Sequence, residues 1–291
     1  MKKLWVNLTL VVCGLMPATP ADAAVIVAIN AGGELVTFDS ASPGSSTSVA
    51  ISGIAAGDAL QGIDLRPANN TVYGLATSST ASRLYSIDRT TGVATPSSML
   101  STIATGDFFG VDFNPTVDRL RVVSDTGQNL RINVDTGGTI VDTPLAFATG
   151  DQNEGTTPFV VAAAYTNSFA GATSTELYDL ELNTGSLVQQ VPANAGTLAT
   201  IGVLQGLAFP DAAFDIFSDG ATNTGFVVLD GFALNSIDLA TGELTFLGEI
   251  NSGSTIRGIT AVAVPEPGSL ALLGLVAGGA AYRRRRRAAA Q

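Results

Sequence analysis

Short apolar runs alternate with polar residues along most of the chain. Residues 119–122 and 129–133 place apolar and polar side chains at alternate positions, which is the period of a β-strand. Gly, Asp, Asn and Thr separate the runs, and these residues favour tight turns. The pattern predicts an all-β protein built from short antiparallel strands.

One apolar segment with an internal glycine recurs along the chain. Its four copies are residues 60–67, 109–115, 204–210 and 256–262, with glycines at Gly62, Gly110, Gly206 and Gly258. The glycines are spaced by 48, 96 and 52 residues, so the middle gap equals two repeats. We expect residues 159–165 to be a degenerate fifth copy.

A second motif consists of an apolar strand, an acid or Asn, and then Thr-Gly. It occurs at residues 84–92, 130–137, 177–185 and 234–242, and a related segment at 35–39 precedes Pro43-Gly44. These features predict hairpin turns in which Asp or Asn bonds the backbone and Gly takes a positive φ. We expect the turn acids to be structural; they are Asp39, Asp88, Asp135 and Asp238.

Four short strands per unit of about 48 residues are typical of a propeller blade. We therefore predict a five-bladed β-propeller, with four blades near residues 60–100, 108–145, 158–200 and 204–250. Residues 256–262 and 25–29 supply the first and second strands of the fifth blade, so the two ends close the ring. A β-sandwich is the alternative, because it also contains many short strands.

The N-terminus has the features of a secretory signal peptide. Lys2 and Lys3 precede an apolar run at residues 4–16, which is followed by small residues at 21–23. This run is shorter than the roughly 20 residues of a permanent membrane helix. We expect a signal helix that signal peptidase removes after Ala23, with an uncleaved anchor as the alternative. The single cysteine, Cys13, lies in this segment, so the mature chain has no disulfide.

The C-terminus contains three elements in a fixed order. Pro265, Glu266 and Pro267 precede an apolar stretch at residues 268–282, and five arginines follow: Arg283, Arg284, Arg285, Arg286 and Arg287. A helix over 268–282 would be about 22 Å long against a hydrocarbon core of about 30 Å. It would be a weak membrane anchor whose arginines stay on the cytoplasmic side.

This order resembles the PEP-CTERM sorting signal of Gram-negative bacteria. The resemblance implies transient anchoring in the inner membrane, processing by an exosortase, and delivery to the cell surface or an extracellular polysaccharide matrix. A plain C-terminal membrane anchor is the alternative. The chain then divides into a signal peptide (1–23), a propeller domain (24–264) and a sorting signal (265–291).

Charge and composition limit the chemistry of the propeller domain. The whole chain has a net charge of −11, whereas residues 24–264 hold 7 Arg against 23 Asp and Glu, a net charge of −16. Nucleic-acid binding is disfavoured because phosphate contacts need a basic surface. The domain has no His, Lys or Cys, which excludes His-dependent triads, Schiff bases and thiolates. We expect no catalysis and no cofactor, with Ca²⁺ as the open alternative.

Two acids follow the repeat glycine in adjacent blades. These are Asp64 and Asp112, and Ala208 and Thr260 stand at the matching positions elsewhere. First strands line the central channel of a propeller, so the two carboxylates can face one cavity. Paired acids suit glycoside hydrolysis or cation binding, and hydrogen bonding at strand ends is the structural interpretation.

Three of the domain's arginines fall close together in sequence. Arg119 and Arg121 share one strand face, and Arg131 shares a face of the next strand with Asn129. If these faces align, they form a polar patch that can hold a carboxylate or a sugar acid. The alternative is salt bridges to acids between the blades.

An acidic loop bounded by glycines occupies residues 150–155. Asp151, Asn153 and Glu154 offer the oxygen ligands that Ca²⁺ prefers, although EF-hand spacing is missing. The loop is thus a candidate metal site or simply a solvated loop.

Residues 117–137, with 150–155 and 162–167, resemble the DUF4394 domain family over most of residues 35–262. The resemblance implies a repeat propeller of exported bacterial proteins, supplies no catalytic residue, and leaves the function unknown. We expect an exported, acidic, non-catalytic protein of the cell surface or matrix. A carbohydrate-active hydrolase using Asp64 and Asp112, and a Ca²⁺- or ligand-binding surface receptor, are the alternatives.

Overall fold

The computed structural model of the protein describes residues 24–205 and 212–262. Within these ranges the chain forms 21 β-strands and one short 3₁₀ helix, Ala193–Ala195. In chain order the strands are β1 (Val25–Asn30), β2 (Glu34–Asp39), β3 (Thr47–Ala50), β4 (Ala59–Arg66), β5 (Thr71–Thr77), β6 (Ser82–Ile87), β7 (Ala94–Met99), β8 (Phe109–Asn114), β9 (Arg119–Ser124), β10 (Asn129–Ile132), β11 (Thr139–Val141), β12 (Ala146–Phe147), β13 (Val160–Tyr165), β14 (Leu177–Glu181), β15 (Ser186–Gln190), β16 (Thr197–Val203), β17 (Ala213–Ser218), β18 (Asn223–Leu229), β19 (Ala233–Ile237), β20 (Leu244–Glu249) and β21 (Ile256–Val262).

The strands of the described ranges form five sheets, which are the blades of a propeller. Blade 1 is β4–β7, blade 2 is β8–β11, blade 3 is β13–β16 and blade 4 is β17–β20; the short β12 adds to blade 3 in parallel with β16. The innermost strands β4, β8, β13, β17 and β21 contact one another in a closed ring. The predicted five-bladed propeller is confirmed.

Blade 5 takes its strands from both ends of the domain. Its order is β21-β1-β2-β3, and Val25 of β1 pairs with Val262 of β21. The prediction that residues 25–29 supply a second strand and residues 256–262 a first strand is confirmed.

The hydrophobic core lies in five layers, one between each pair of neighbouring blades. For example, Ile26 and Phe38 of blade 5 pack with Phe226 and Val228 of blade 4. Similar clusters fill the other four layers. Because a blade has neighbours on both faces, a strand such as β13 is buried at every position.

The inner strands come too close at the axis for ordinary side chains. A Cβ atom on Gly110 would lie 2.6 Å from the backbone nitrogen of Ala163, and one on Gly62 would lie 2.8 Å from Cγ2 of Val111. Gly258, Ala162 and Ala213 line the same small axial cavity. The repeat glycine is therefore required by close approach of the strands.

The predicted start of blade 4 is wrong. Residues 204–210 were expected to be its first strand, but the inner strand is β17 (Ala213–Ser218), and residues 206–211 lie outside the described ranges. Ala213 occupies the axial position that we expected for Gly206, because a small side chain is sufficient there. The 96-residue glycine spacing thus did not mark two equal repeats.

The second motif also has a different place in blade 3. Residues 177–185 contain β14, which pairs directly with the inner strand β13. In blades 1, 2 and 4 the motif begins on the third strand. No strand forms between Tyr165 and Leu177, so blade 3 starts its turn motif one strand earlier and completes its sheet with β16.

The two end segments cannot be compared with their predictions. The signal helix (1–23) and the apolar helix (268–282) with its arginines lie outside the described residues. Within the described ranges, no helix is long and apolar enough to cross a membrane.

Replacing the axial glycine of blade 2 tests the close approach of the strands. We expect Gly110→Ala to lower the free energy of unfolding by about 2 kcal/mol, because the new Cβ must displace the backbone at Ala163. Gly44→Ala is the control, since its Cβ would make only an ordinary contact at 3.6 Å. Equal denaturation midpoints for the two variants would contradict the prediction.

Candidate functional site

Three carboxylates meet at the propeller axis. Asp64 of β4, Asp112 of β8 and Asp215 of β17 each place a carboxylate oxygen within 4.8 Å of the other two. Their exposed fractions are 2%, 1% and 3%. Each lies two residues after the close-approach position of its strand, so strand alternation directs it to the axis.

The equivalent positions of the other two inner strands hold Ala164 and Thr260. The hydroxyl of Thr260 donates to Asp64 Oδ1 at 2.9 Å, so it extends the polar cluster. We call Asp64, Asp112, Asp215 and Thr260 the axial ring. Sequence reasoning found two of its acids and placed Thr260 correctly.

The axial ring joins each blade to the next by one repeated hydrogen bond. The N–H of Phe113 donates to Asp64 Oδ2 at 2.8 Å, that of Ala261 to Asp215 Oδ2 at 2.5 Å, and that of Leu65 to Thr260 Oγ1 at 3.0 Å. Asp112 accepts likewise from the N–H of Tyr165. In each case the donor directly follows the equivalent position of the next inner strand. Ala164 is the one position of the five without a side-chain acceptor.

Burial and mutual repulsion act together on the three acids. Burial raises the pKa of Asp64 and Asp112 well above the usual value, and the neighbouring carboxylates raise both further. Burial also raises the pKa of Asp215, although backbone hydrogen bonds from Ala261 and Ile216 oppose the shift. Asp112 Oδ1 has no hydrogen-bond partner among the described residues. The cluster therefore favours a proton or a cation.

Sequence reasoning missed Asp215 because it aligned Ala208 with the axial position. A usable signal was present: apolar residues flank Asp215 as they flank Asp64 and Asp112. The resemblance of residues 204–206 to residues 60–62, both Leu-Gln-Gly, outweighed it.

The predicted arginine patch forms, and Arg121 is its centre. Arg121 is directly opposite Arg131 in the β9–β10 pair, so the two side chains share a face. Arg121 donates to Asn129 Oδ1 (2.6 Å), Asn194 Oδ1 (2.7 Å) and the hydroxyl of Tyr165 (3.3 Å). At 2% side-chain exposure, Arg121 is a structural tie between blades 2 and 3.

One carboxylate serves two arginines in this patch. Asp142 Oδ2 accepts from Arg121 Nη1 at 2.7 Å and from Arg131 Nε at 2.6 Å, and Asp142 Oδ1 accepts from Arg131 Nη2 at 2.8 Å. Burial alone would raise the pKa of Asp142, but the hydrogen bonds from Arg131 and Arg121 lower it. Asp142 therefore stays ionised and balances one of the two guanidinium charges.

A surface cleft of about 360 Å³ lies against this patch. Among the described residues, Arg119 donates only to the backbone carbonyls of Val117 and Asp118. The lining side chains are Asn114, Val117, Arg119, Arg121, Arg131, Ile140, Tyr165 and Asn194. We call this the arginine cleft; with Asp142, it contains three guanidinium groups and one carboxylate.

Comparison with known proteins agrees with this architecture. Residues 34–260 match the family described as Domain of unknown function (DUF4394). The chain belongs to the DUF4394 family. Residues 263–287 match the PEP-CTERM protein-sorting motif, so both predicted resemblances are confirmed. No curated protein matches the chain.

A solved structure shares the fold of this DUF4394 domain, and a second one is similar to a lesser degree. A structural genomics protein of unknown function from Bacteroides thetaiotaomicron is 16% identical, with a TM-score of 0.50; the match covers 81% of the chain and 61% of that protein. A chain of the nidogen/laminin complex is 11% identical, with a TM-score of 0.45 and coverage of 82% and 98%. At these identities the likeness concerns the fold alone.

A second arginine clamp joins blades 1 and 2 of the DUF4394 domain. Arg66, at the end of β4, donates two hydrogen bonds to Asp118 and two to Asp135, at 2.5–3.1 Å. Asp135 was predicted to cap a turn, but Asn133 does so by accepting from the N–H of Asp135. Asp88 shows the expected geometry, since its Oδ1 accepts from the N–H groups of Thr90 and Thr91.

The acidic loop at residues 150–155 turns its side chains toward its own backbone and toward β16. Asp151 accepts from the N–H and the hydroxyl of Thr200, and Glu154 Oε2 accepts from the N–H of Gly150. Asn153 donates to the Thr200 hydroxyl. Asp151 and Asn153 thus share the Thr200 hydroxyl as a partner, whereas the contact of Glu154 is to Gly150.

Asp179 is a further buried acid that the sequence did not single out. It is fully buried on β14, and neither carboxylate oxygen has a hydrogen-bond partner among the described residues. Burial raises its pKa to about 8, although the charge of Arg121 opposes the shift. The folded domain therefore keeps a proton on Asp179 at neutral pH.

This proton makes stability depend on pH. The unfolded chain releases it above about pH 4, whereas the folded protein holds it until about pH 8, so its contribution to stability falls as pH rises between these values. Asp179→Asn removes the effect. We expect the variant to gain stability relative to the wild type from pH 5 to pH 8, by on the order of 1 kcal/mol in the free energy of unfolding per pH unit. The measurement is the Tm of the variant minus that of the wild type, which should increase over this range.

Asp88→Asn is the matched control for this measurement. Hydrogen bonds from Thr91 and Thr90 lower the pKa of Asp88, so the folded and unfolded states are both ionised there above pH 5. Its Tm difference from the wild type should stay constant over the same range. A constant difference for Asp179→Asn as well would contradict the assignment of the bound proton to Asp179.

Proposed function

We propose that the protein is an exported, acidic, non-catalytic propeller that binds anionic polysaccharide at the cell surface or in the extracellular matrix. The observation that carries the proposal is the arginine cleft, a locally cationic surface on a domain with a net charge of −16. The pKa of Asp135 is lowered by the hydrogen bond from Arg66 and also by the charge of Arg119. Within the described ranges, however, Arg119 forms no ion pair and Nη1 of Arg131 has no hydrogen-bond acceptor. Such donors suit the carboxylates of sugar acids.

Export and sorting follow from the C-terminal signal. The PEP-CTERM motif at residues 263–287 marks the chain as an exported protein with a sorting signal. We propose that signal peptidase cleaves after Ala23 and that an exosortase-type enzyme cleaves near residues 265–267. Between these events the segment 268–282 would hold the protein in the inner membrane, with residues 283–287 on the cytoplasmic side.

The geometry of the axial ring supports the non-catalytic part of the proposal. A hydrolase needs two carboxylates that reach the glycosidic bond and a water molecule. Asp64 and Asp112 are 2% and 1% exposed, and each accepts a backbone hydrogen bond from the next blade. This burial and these contacts support a structural role for both acids.

Processing can be tested by mass spectrometry of the protein recovered from the cell surface and the medium. We expect a mature N-terminus at Ala24 and a C-terminus that lacks residues 283–287, because both end segments serve sorting. Replacing Pro265, Glu266 and Pro267 with alanine should keep the arginines on the protein and retain it in the membrane fraction. A mature surface protein that still carries Arg283–Arg287 would contradict exosortase processing.

Binding can be tested by affinity electrophoresis of the purified protein in gels containing a polyuronate. We expect Arg119→Ala to lose most of the retardation, roughly a tenfold weaker affinity, because a charge-assisted hydrogen bond contributes about 1.5–3 kcal/mol. Arg89→Ala is the matched control, since it removes the same charge from a turn of blade 1 that lies outside the cleft. Equal retardation of both variants would contradict the site.

The same preparation separates binding from hydrolysis. We expect no release of reducing ends from a panel of polysaccharides. Release that Asp64→Asn abolishes, in a variant that still folds, would support the hydrolase alternative and overturn the non-catalytic proposal.

A further inference from the structure

We propose that the axial ring binds one Ca²⁺ ion between Asp64, Asp112 and Asp215, and that this ion fastens blades 1, 2 and 4 to one another. The proposal goes beyond polysaccharide binding and does not depend on it. It rests on the distances, burial and hydrogen bonds of the three acids.

The three carboxylates have no positive partner. Over residues 24–205 and 212–262, none of the three forms an ion pair. Arg121 is directly opposite Asp112 in the β8–β9 pair, but its hydrogen bonds go to Asp142, Asn129, Asn194 and Tyr165. Charged groups buried without a partner are strongly unfavourable, and a bound cation removes this cost.

The oxygens are arranged as ligands. One oxygen from each acid lies within 4.8 Å of the others, and oxygens that share a Ca²⁺ ion can be up to about 5 Å apart at bond lengths of 2.3–2.6 Å. Asp112 Oδ1 is buried and unpartnered within the described chain. The backbone N–H groups that bind Asp64 and Asp215 fix the orientation of those carboxylates.

The ligand atoms at the axis are oxygens. Asp64, Asp112 and Asp215 offer three carboxylates, and an oxygen-only ligand set selects a hard cation rather than zinc or copper. The axial cavity of about 20 Å³ is lined by Ile63, Val111 and Phe214, which directly precede the three aspartates, and not by the aspartates themselves.

Calcium fits this set better than magnesium does. Mg²⁺ requires near-octahedral ligands at about 2.0–2.1 Å and releases its waters reluctantly, whereas Ca²⁺ accepts irregular geometry. The three acids come from a propeller axis whose geometry is set by backbone packing, so they cannot rearrange freely into an octahedron.

The test starts from full-length protein unfolded in guanidinium with EDTA, so that a buried ion is released. The protein is refolded with CaCl₂, with MgCl₂ or with EDTA; one part of each sample is desalted and analysed for bound metal, and Tm is measured on the other part in the refolding buffer. We expect about one Ca²⁺ per chain and a Tm about 5–10 °C above that of the EDTA sample at a hundredfold excess over Kd.

Two variants make the result specific to the axis. Asp112→Asn should bind no Ca²⁺, and its Tm in EDTA should equal or exceed that of the wild type, because one of three repelling carboxylates is gone. Glu154→Gln changes the acidic surface loop and should keep the full Ca²⁺ response. A Ca²⁺ response that Glu154→Gln loses and Asp112→Asn keeps would place the ion in the loop and overturn the proposal.

Other outcomes also contradict it. Refolded wild type without bound metal, and with the same Tm in CaCl₂ and EDTA, would mean that the three acids share protons instead of a cation. An equal Tm rise with MgCl₂ and CaCl₂ at the same concentration would overturn the assignment to calcium.

Discussion

This propeller depends on one repeated contact, in which a backbone N–H of an inner strand donates a hydrogen bond to a side chain of the preceding inner strand. Strand pairing joins the backbone of an inner strand to the other strands of its own blade, so the axis needs another link between blades. Asp64, Asp112, Asp215 and Thr260 provide that link. The same contact holds the three acids within 4.8 Å of one another and buried from solvent. Structural closure and the unusual electrostatics of the axis therefore have a single origin.

The link explains how the domain closes without a disulfide. Residues 24–264 contain no cysteine, so closure depends on the shared blade 5, the five apolar layers and the polar ties between blades. Arg66 adds a clamp between blades 1 and 2, and Arg121 adds one between blades 2 and 3. A guanidinium group is planar and its N–H donors point in fixed directions, so a buried arginine with several acceptors holds those acceptors in fixed positions.

Sequence pattern was sufficient for the blades because each turn motif is local. Asp88 with Thr90 and Thr91 forms its turn within a few residues, so the chain itself contains the signal. Asp215 was missed because residues 204–206 imitate residues 60–62, although the small residue needed at the axis is Ala213. The partners of Arg121 are Tyr165 and Asn194, which lie 44 and 73 residues further along the chain. Only the curvature of the ring brings them together, and periodicity contains no information about it.

The pairing of Val25 with Val262 has a consequence for the order of events during export. The two strands that close the ring lie immediately inside the segments that are expected to be cut away, so both processing points emerge at the same edge of blade 5. Four blades can form while the chain is still crossing the membrane, but the last inner strand arrives only when residue 262 has passed. The ring can therefore close only after the chain has been exported as far as Val262. A chain that stopped before that point would expose the apolar layers on both sides of the missing strand.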